Sequence, residues 1–349
     1  MNRLPPVDGE WIDRSRPRAF RFEGRDYAGF AGDTITSALW ASGVRVLGRS
    51  FKYHRPRGVL SLANHDVNAL VQDGSSLCVR ADVTELRSSM DVAAVNTFGG
   101  VDRDHGRLLD RLSAFLPVGF YYKTFHHPKW MFPHWERLIR RLSGLGAPDV
   151  AAPRLRTPKR YDFCDVLVIG AGPSGIAAAL AAARGGAQVL LIDENARIGG
   201  SLTYAYGGAP DSRALLHDLD AQLKDQPSIR IRTDTSAAGL YADNWVALID
   251  ANKMTKVRAR AVVIASGTFE QPAVFRNNDL PGVMLASAAQ RLIYRYAVKP
   301  FQRAVVLTAN AEGYAAALDL GAVGVEVQAV VDLRASDDPS AAAVEARKR

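Results

Sequence analysis

Between residues 18 and 45 the apolar positions first alternate and then recur at helical spacing. Ala19-Phe20-Arg21-Phe22 has the period of two of a half-buried strand, Glu23-Gly24-Arg25 reads as a turn, and a second short strand is expected over 26–28. Asp33 is placed to cap a helix over 34–42, which Gly43 would end in the left-handed conformation. Short strands are expected at 68–71 and 78–83. From 101 to 160 the pattern turns aromatic, basic and proline-punctuated, with a helix predicted over 135–143 and a linker over 144–160.

From Asp162 onward the pattern is that of a parallel sheet. Val166-Leu167-Val168-Ile169 is a buried-strand run, residues 176–184 form an alanine-rich helix, and 188–192 is a second apolar strand. A strand, helix and strand within about 30 residues predict parallel strands joined by a right-handed crossover. Residues 261–265 read as another buried strand. A strand at 304–307, a helix over 314–320 and a strand at 325–331 suggest a second, unfinished βαβ.

Composition narrows the classes. The chain has 349 residues with 48% hydrophobic and 23% charged, enough for two or three domains. Two cysteines cannot make a disulfide framework or supply the four thiolates of an iron–sulfur cluster. No apolar run has the length of a signal peptide core or a membrane span, so a cytoplasmic location is expected, with no membrane partner. The net charge of +8 is uneven: residues 1–160 carry 25 Lys and Arg against 16 Asp and Glu, and the rest carry 19 against 20.

The densest candidate chemistry is Gly170-Ala171-Gly172-Pro173-Ser174-Gly175, which follows a strand and opens a helix. Gly170 permits the tight turn, Gly172 lets backbone approach a pyrophosphate, and Gly175 lets helix and strand pack closely. Free N–H groups and the helix dipole then favour phosphate. Asp193, 18 residues past Gly175, or its neighbour Glu194 is placed to receive ribose hydroxyls, with Asp193 favoured by register. An acid there disfavours a 2′-phosphate, pointing to NAD or FAD rather than NADP. Gly199 and Gly200 either turn the chain back beneath the cofactor or make an ordinary loop. Ser266 and Gly267, at the end of the strand 261–265, form a small-residue turn able to pass close to the dinucleotide, with Glu270 a polar candidate beside it.

Arg49, Lys52, His54, Arg55 and Arg57 are interleaved with Phe51 and Tyr53. Such a run could stack single-stranded nucleic acid, but a domain-interface loop gripping phosphates or carboxylates is the favoured reading. His126, His127 and His134 lack metal-ligand partners at useful spacing, so no metal is expected. Trp130, Phe132 and Trp135 read as packing, and Cys78 and Cys164 as buried thiols. No catalytic set of residues can be assigned.

The stretches 48–58 and 119–125, with the glycine fingerprint and 275–284, resemble the α subunit of heterotetrameric sarcosine oxidase and its amine- and opine-oxidising relatives. The resemblance implies oxidation at a CH–NH group by a complex. An NAD-binding subunit would be joined by a β-type flavoprotein subunit carrying FAD and by small subunits, with FMN at a subunit boundary and tetrahydrofolate taking the one-carbon unit. The family's α subunit is far longer and has a folate-binding domain that is absent here. FAD is the alternative occupant of this chain's own site. Where a plant-type ferredoxin carries C-x4-C-x2-C, residues 49–58 contain no cysteine.

The fold expected is therefore α/β: a β-grasp ferredoxin-like domain without cluster ligands over 1–100, a connector over 101–160, and a FAD/NAD(P)-binding Rossmann-like domain over 161–349. The last is of the two-dinucleotide-domain flavoprotein type and looks truncated. A self-contained FAD-dependent NADH oxidoreductase would need a second complete dinucleotide domain and a redox centre. A non-catalytic fragment or assembly module is the other alternative.

Overall fold

β1 (Asp13–Phe22) and β2 (Arg25–Ala31) pair antiparallel, with Phe22 opposite Arg25, so only Glu23 and Gly24 lie between them in the computed structural model. Both turn residues have positive φ, 53° and 73°, the twist that a two-residue hairpin requires. All residues are described except 1, 67–68, 75, 112, 114–118, 120–126, 143–148, 152–156, 208–210 and 336–337.

α1 (Ile35–Ala41) follows the hairpin and is buried along its whole length. Its cap is Thr34, whose hydroxyl accepts from Ser37 N–H while the Ser37 hydroxyl accepts from Thr34 N–H. Asp33, the expected cap, instead accepts from Arg3 at 2.8 Å, Phe30 N–H at 2.9 Å and the Ser37 hydroxyl at 2.6 Å. Gly43 does take positive φ, 90°.

β3 (Gly48–Arg49) and β4 (Pro56–Arg57) form a small ladder of their own. β5 (Leu70–Asp73), β6 (Ser76–Arg80) and β7 (Asp91–Ala94) complete a five-stranded sheet in the order β2-β1-β7-β5-β6. β1 and β7 run parallel. The connector's helix, α2 (Phe132–Leu142), begins earlier than expected. Trp130 and Phe132, expected to pack, are 72% and 37% exposed. The motif segment 120–125 and His126 lie outside the described residues.

The second sheet has the order β10-β9-β8-β13-β12-β11. β8 (Lys159–Ile169), β9 (Val189–Ile192), β10 (Ile229–Arg232) and β13 (Met254–Ile264) are mutually parallel, with β8 at the centre between β9 and β13. β11 (Ser236–Tyr241) and β12 (Trp245–Ile249) extend the sheet antiparallel. α3 (Pro173–Arg184) and α4 (Ser212–Lys224) cover the parallel strands, with Val168, Ile176, Ala179, Leu180, Leu191 and Leu219 in their shared core. The small alanine side chains of α3 let helix and sheet approach closely.

The chain resolves into two compact units whose boundaries differ from the linear division expected. One consists of Met1–Ala152, Pro272–Val305 and Val323–Gln328; the other of Pro153–Gln271, Val306–Ala322 and Ala329–Arg349. Residues 272–305, assigned by sequence to the dinucleotide domain, thus belong with the N-terminal unit. α5 (Ala286–Tyr294) explains why: Leu285, Ala288, Leu292, Tyr296, Ala297 and Val298 are buried in one core with Trp11, Leu39 and Trp40. Trp40 Nε1 also donates to Pro300 O at 3.0 Å. Each large apolar side chain buried this way contributes about 1.5–3 kcal/mol.

The second βαβ pattern is present as β14 (Arg303–Thr308), α6 (Ala311–Ala322) and β15 (Glu326–Asp332), with the two strands in a sheet of their own. α7 (Ala341–Lys348) packs on α6 through Ala342, Ala343 and Tyr314. No helix among the described residues is long and apolar enough to cross a membrane.

Candidate functional site

The glycine-rich turn stands at the C-terminal end of the central strand β8, where parallel sheets leave a crevice for ligands. Gly170 has φ 104° and donates to Ile192 O at 2.8 Å. A Cβ there would collide with the carbonyl oxygen of Ala265, and one at Gly175 would collide with that of Gly170. These two glycines are therefore required by the fold itself. Gly172 differs, because its φ of −77° and ψ of −178° suit any residue, and the nearest atom to an added Cβ is Gly200 Cα at 3.8 Å. The open space over Gly172 is what a backbone-to-pyrophosphate approach needs.

Gly172 is the N-cap of α3 and Pro173 follows at the first helical position, where its missing N–H costs nothing. Ser174 and Gly175 then supply the first-turn N–H groups, at the positive end of the helix dipole. Ser174 is exposed and Gly175 buried.

The second loop is laced to the first through Ala171, which is fully buried. Ala171 N–H donates to Asp193 Oδ2 at 2.7 Å, and Ala171 O accepts from Gly199 N–H at 2.7 Å. Gly199 and Gly200 have φ of 112° and 55°, and a Cβ on Gly200 would lie 2.8 Å from Gly172 Cα. The Gly199-Gly200 pair thus turns the chain back onto the glycine-rich turn. Asp193 is only 7% exposed, and its Oδ1 accepts from Asn195 N–H and Asn195 Nδ2, both at 2.8 Å. Glu194 is the exposed acid of the pair.

β13 delivers the third strand of the site. Ala265 N–H donates to Ile169 O at 2.8 Å, and Ala265 is the residue that crosses Gly170 and Gly175. Ser266 N lies next to Gly170, whereas Gly267, with φ 75°, is exposed and has no atom near its Cβ position. Ala265 and Ser266, and not Gly267, lie against the glycine-rich turn. Only its position at the end of the apolar run could have pointed to Ala265.

In the N-terminal unit, the cysteine-free loop is held by side chains. Arg49 donates to Val101 O at 2.6 and 3.0 Å and to His54 O at 3.2 Å. His54 is fully buried, stacks on Phe98 at 5.2 Å, and its Nδ1 lies 2.7 Å from Asp104 Oδ2. Arg55 Nε donates to Asp279 Oδ2 at 2.8 Å and Arg57 pairs with the same carboxylate. Gly58 allows this docking, since a Cβ there would press on Arg45 O at 2.8 Å and Pro281 at 3.1 Å. The expected grip on a carboxylate is therefore intramolecular, and its target is a residue of the 275–284 motif. The hydrogen bond from Arg55 holds the Asp279 carboxyl below the ordinary carboxylate range.

The thiols do not share one environment. Cys164 is buried in β8 and desolvation pushes its thiol up to about 11, whereas Cys78, expected to be buried, is exposed on the sheet-edge strand β6. With loop 48–58 built from arginine and histidine locks and the cysteines in β6 and β8, the thiolate set for a [2Fe–2S] cluster is missing.

Strand order, glycine turn and buried acid define a nucleotide-binding oxidoreductase fold beside a ferredoxin-like domain. Residues 15–97 match the family described as 2Fe-2S iron-sulfur cluster binding domain, and residues 165–277 the family described as FAD dependent oxidoreductase. The more particular kinship is with the α subunit of sarcosine oxidase from Rhizobium meliloti (strain 1021). It is 38% identical over 347 residues, 93% of this chain and 35% of the relative. An opine oxidase subunit from Agrobacterium tumefaciens (strain Ach5) is 34% identical over 49% of this chain and 37% of its own length. The chain spans about a third of the length of these relatives. The crystal structure of L-proline dehydrogenase from P. horikoshii shares the fold, with a TM-score of 0.66, 19% identity, and coverage of 97% of this chain and 58% of that one.

Proposed function

We propose that this chain is the dinucleotide-binding part of the α subunit of a sarcosine oxidase-like complex. The observation that carries the reading is the 38% identity to the α subunit of a sarcosine oxidase over nearly the whole chain, both units included. In the complete complex the N-methyl group of sarcosine is oxidised to the imine level and O2 takes the two electrons, giving H2O2. Tetrahydrofolate receives the one-carbon unit and glycine leaves. The substrate-oxidising FAD belongs to a β-type flavoprotein subunit, with FMN and small subunits completing the assembly in the cytoplasm.

Within this chain, NAD is the proposed occupant of the turn 170–175, and the match of residues 165–277 to a FAD-dependent oxidoreductase family supports FAD as its rival. The bound dinucleotide supplies hydride chemistry; the protein supplies orientation and electrostatics. The glycine turn would cradle the pyrophosphate, the first turn of α3 would donate to it, and the Gly199-Gly200 turn would close beneath it. Secondary-amine or opine oxidation is the second reading, favoured by the opine oxidase match.

Calorimetric titration of the purified chain with NAD and FAD, together with its visible spectrum, tests the site. Tight NAD binding without flavin absorbance is expected. Bound flavin would favour the rival occupant, and binding of neither would refute the site. Sarcosine-dependent H2O2 release by this chain assembled with a β-type flavoprotein subunit tests the complex, and release with opines alone would select the second reading.

A further inference from the structure

In the N-terminal unit, residues from 22–27, 42–46 and 99–103 line a cleft of about 630 Å³. Glu23, in the β1–β2 turn, fixes one wall: its carboxylate accepts from Ala94 N–H at 2.7 Å and from Val101 N–H at 3.2 Å. Gly100 lets that wall come close, since at φ 88° a Cβ on it would lie 2.6 Å from Glu23 Oε2. Three arginines line the cleft against two carboxylates, Glu23 and Asp102, and Asp102 is paired with Arg25 at 3.1 Å. Arg45 is placed differently. Its guanidinium lies over the ring of Trp40, 4.1 Å from the centroid, and Nη1 reaches Trp40 O at 3.3 Å. Trp40 is itself fully buried and anchored by its Nε1 to Pro300 O at 3.0 Å, so the cation rests on a rigid platform. Among the described residues Arg45 has no carboxylate partner, and its Nε and Nη2 donate to no protein acceptor. It is half-buried, and burial alone pushes its pKa down, with no opposite charge to compensate.

Nε and Nη2 form one edge of the guanidinium fork, the geometry that meets two oxygens of a carboxylate or phosphate at once. Phe22, Tyr27, Val44 and Val46 add apolar surface to the same cleft, and its volume falls in the range of small-molecule sites, about 300–1,000 Å³. Arg103, exposed and without a carboxylate partner among the described residues, supplies a second cation to the lining. We propose that this cleft binds a small organic oxyanion, a carboxylate or a phosphate ester, whose head group takes the fork of Arg45 and whose apolar body lies on the Phe22, Val44 and Val46 wall. The ligand gives a desolvated cation the counter-ion that the protein withholds, on a platform already in place. The site is independent of the dinucleotide reading.

The test is calorimetry of the full-length chain with benzoate, phenyl phosphate and, as the uncharged match, benzyl alcohol. At least one of the anions should bind, with benzyl alcohol roughly tenfold weaker or more. A preference for benzoate names a carboxylate as the head group and a preference for phenyl phosphate a phosphate ester; either upholds the site. Arg45→Lys keeps the charge and the stem over Trp40 but removes the fork, so affinity should fall by roughly tenfold or more at nearly unchanged Tm. In the unaltered chain, saturating phenyl phosphate or benzoate should slow the modification of Arg103 by phenylglyoxal, a readout that needs no variant to fold. Binding of neither anion, equal binding of benzyl alcohol, full affinity in folded Arg45→Lys, or no protection of Arg103 overturns the assignment. So does loss of probe binding in Gly172→Ala, which would place the probe on the glycine-rich turn instead.

Discussion

Replacing Gly172 by alanine separates a glycine needed by the ligand from glycines needed by the fold. The backbone at 172 is extended, and an added Cβ has its nearest neighbour 3.8 Å away, so there is no steric cost in the empty site. Alanine is a poorer N-cap than glycine by about 0.5–1 kcal/mol. It also stiffens the unfolded chain, which returns roughly 0.4–1 kcal/mol. The net change in stability is thus within about 1 kcal/mol, a few degrees in Tm at most. A bound pyrophosphate, by contrast, must come within hydrogen-bond distance of the backbone that the methyl group now covers. Losing one or two charge-assisted bonds at about 1.5–3 kcal/mol each lowers affinity by roughly ten- to ten-thousandfold. Calorimetry with NAD and FAD, paired with thermal melts, reads both quantities. Gly175→Ala is the control: its Cβ would strike the Gly170 carbonyl, so Tm should fall sharply. An unchanged affinity in Gly172→Ala at unchanged Tm would refute the pyrophosphate cradle, and a melt as poor as that of Gly175→Ala would refute the steric argument.

Three further outcomes follow from the locks and thiols. Asp279→Asn removes the counter-ion of Arg55 and Arg57 and should destabilise the N-terminal unit by about 1–3 kcal/mol at neutral pH, read as a lower Tm and faster proteolysis within 48–58. Because the wild-type carboxyl is held low, this contribution is present above the ordinary carboxylate pKa and lost as pH falls through the lowered one, so the gap between the two proteins should close in acid. Asp82 behaves oppositely: burial and the neighbouring Asp66 push it up to about 6, so its contribution is full below the ordinary value and lost as pH rises through about 6. Asp82→Asn should therefore raise Tm at pH 8, by about 1–3 kcal/mol in stability, with the gain vanishing near pH 4; a gain independent of pH would contradict the assignment. Finally, a thiol reagent at pH 8 should label Cys78 in the native chain and reach Cys164 only after denaturation; rapid native labelling of Cys164 would show that β8 opens.

The strand, glycine turn, helix and second strand of the candidate site were legible because apolar runs and fixed glycine spacings are local signals. β11 and β12 were missed. Val246 and Leu248 of β12 are buried, but Trp245, Ala247 and Ile249 between them are apolar too, so no apolar–polar alternation marks the strand, and β11 opens on the small residues Ser236-Ala237-Ala238-Gly239. The capping residue was misplaced by one position because Asp33 and Thr34 are both good caps, and bonds from Arg3, 30 residues away, from Phe30 N–H and from the Ser37 hydroxyl take Asp33 out of that role. Asp193 could be placed at the strand end, but not its burial, since its partner Ala171 is a backbone group 22 residues distant. Cys78 was misread because its apolar neighbours lie on an edge strand.

The docking of Asp279 onto Arg55 and Arg57 also sets an order of events at the ribosome. A nascent chain emerges from its N-terminus, and a domain folds once its parts are available. Residues 153–271, almost the whole sheet of the second unit, must be synthesised before Asp279 and α5 arrive to finish the first. The N-terminal unit therefore waits with its arginines unanswered and the Leu285 and Leu292 places in its core unfilled. Although it is begun first it is not completed until residues far along the chain are made, and a ribosome stalled near residue 270 holds a unit that still lacks Asp279 and α5.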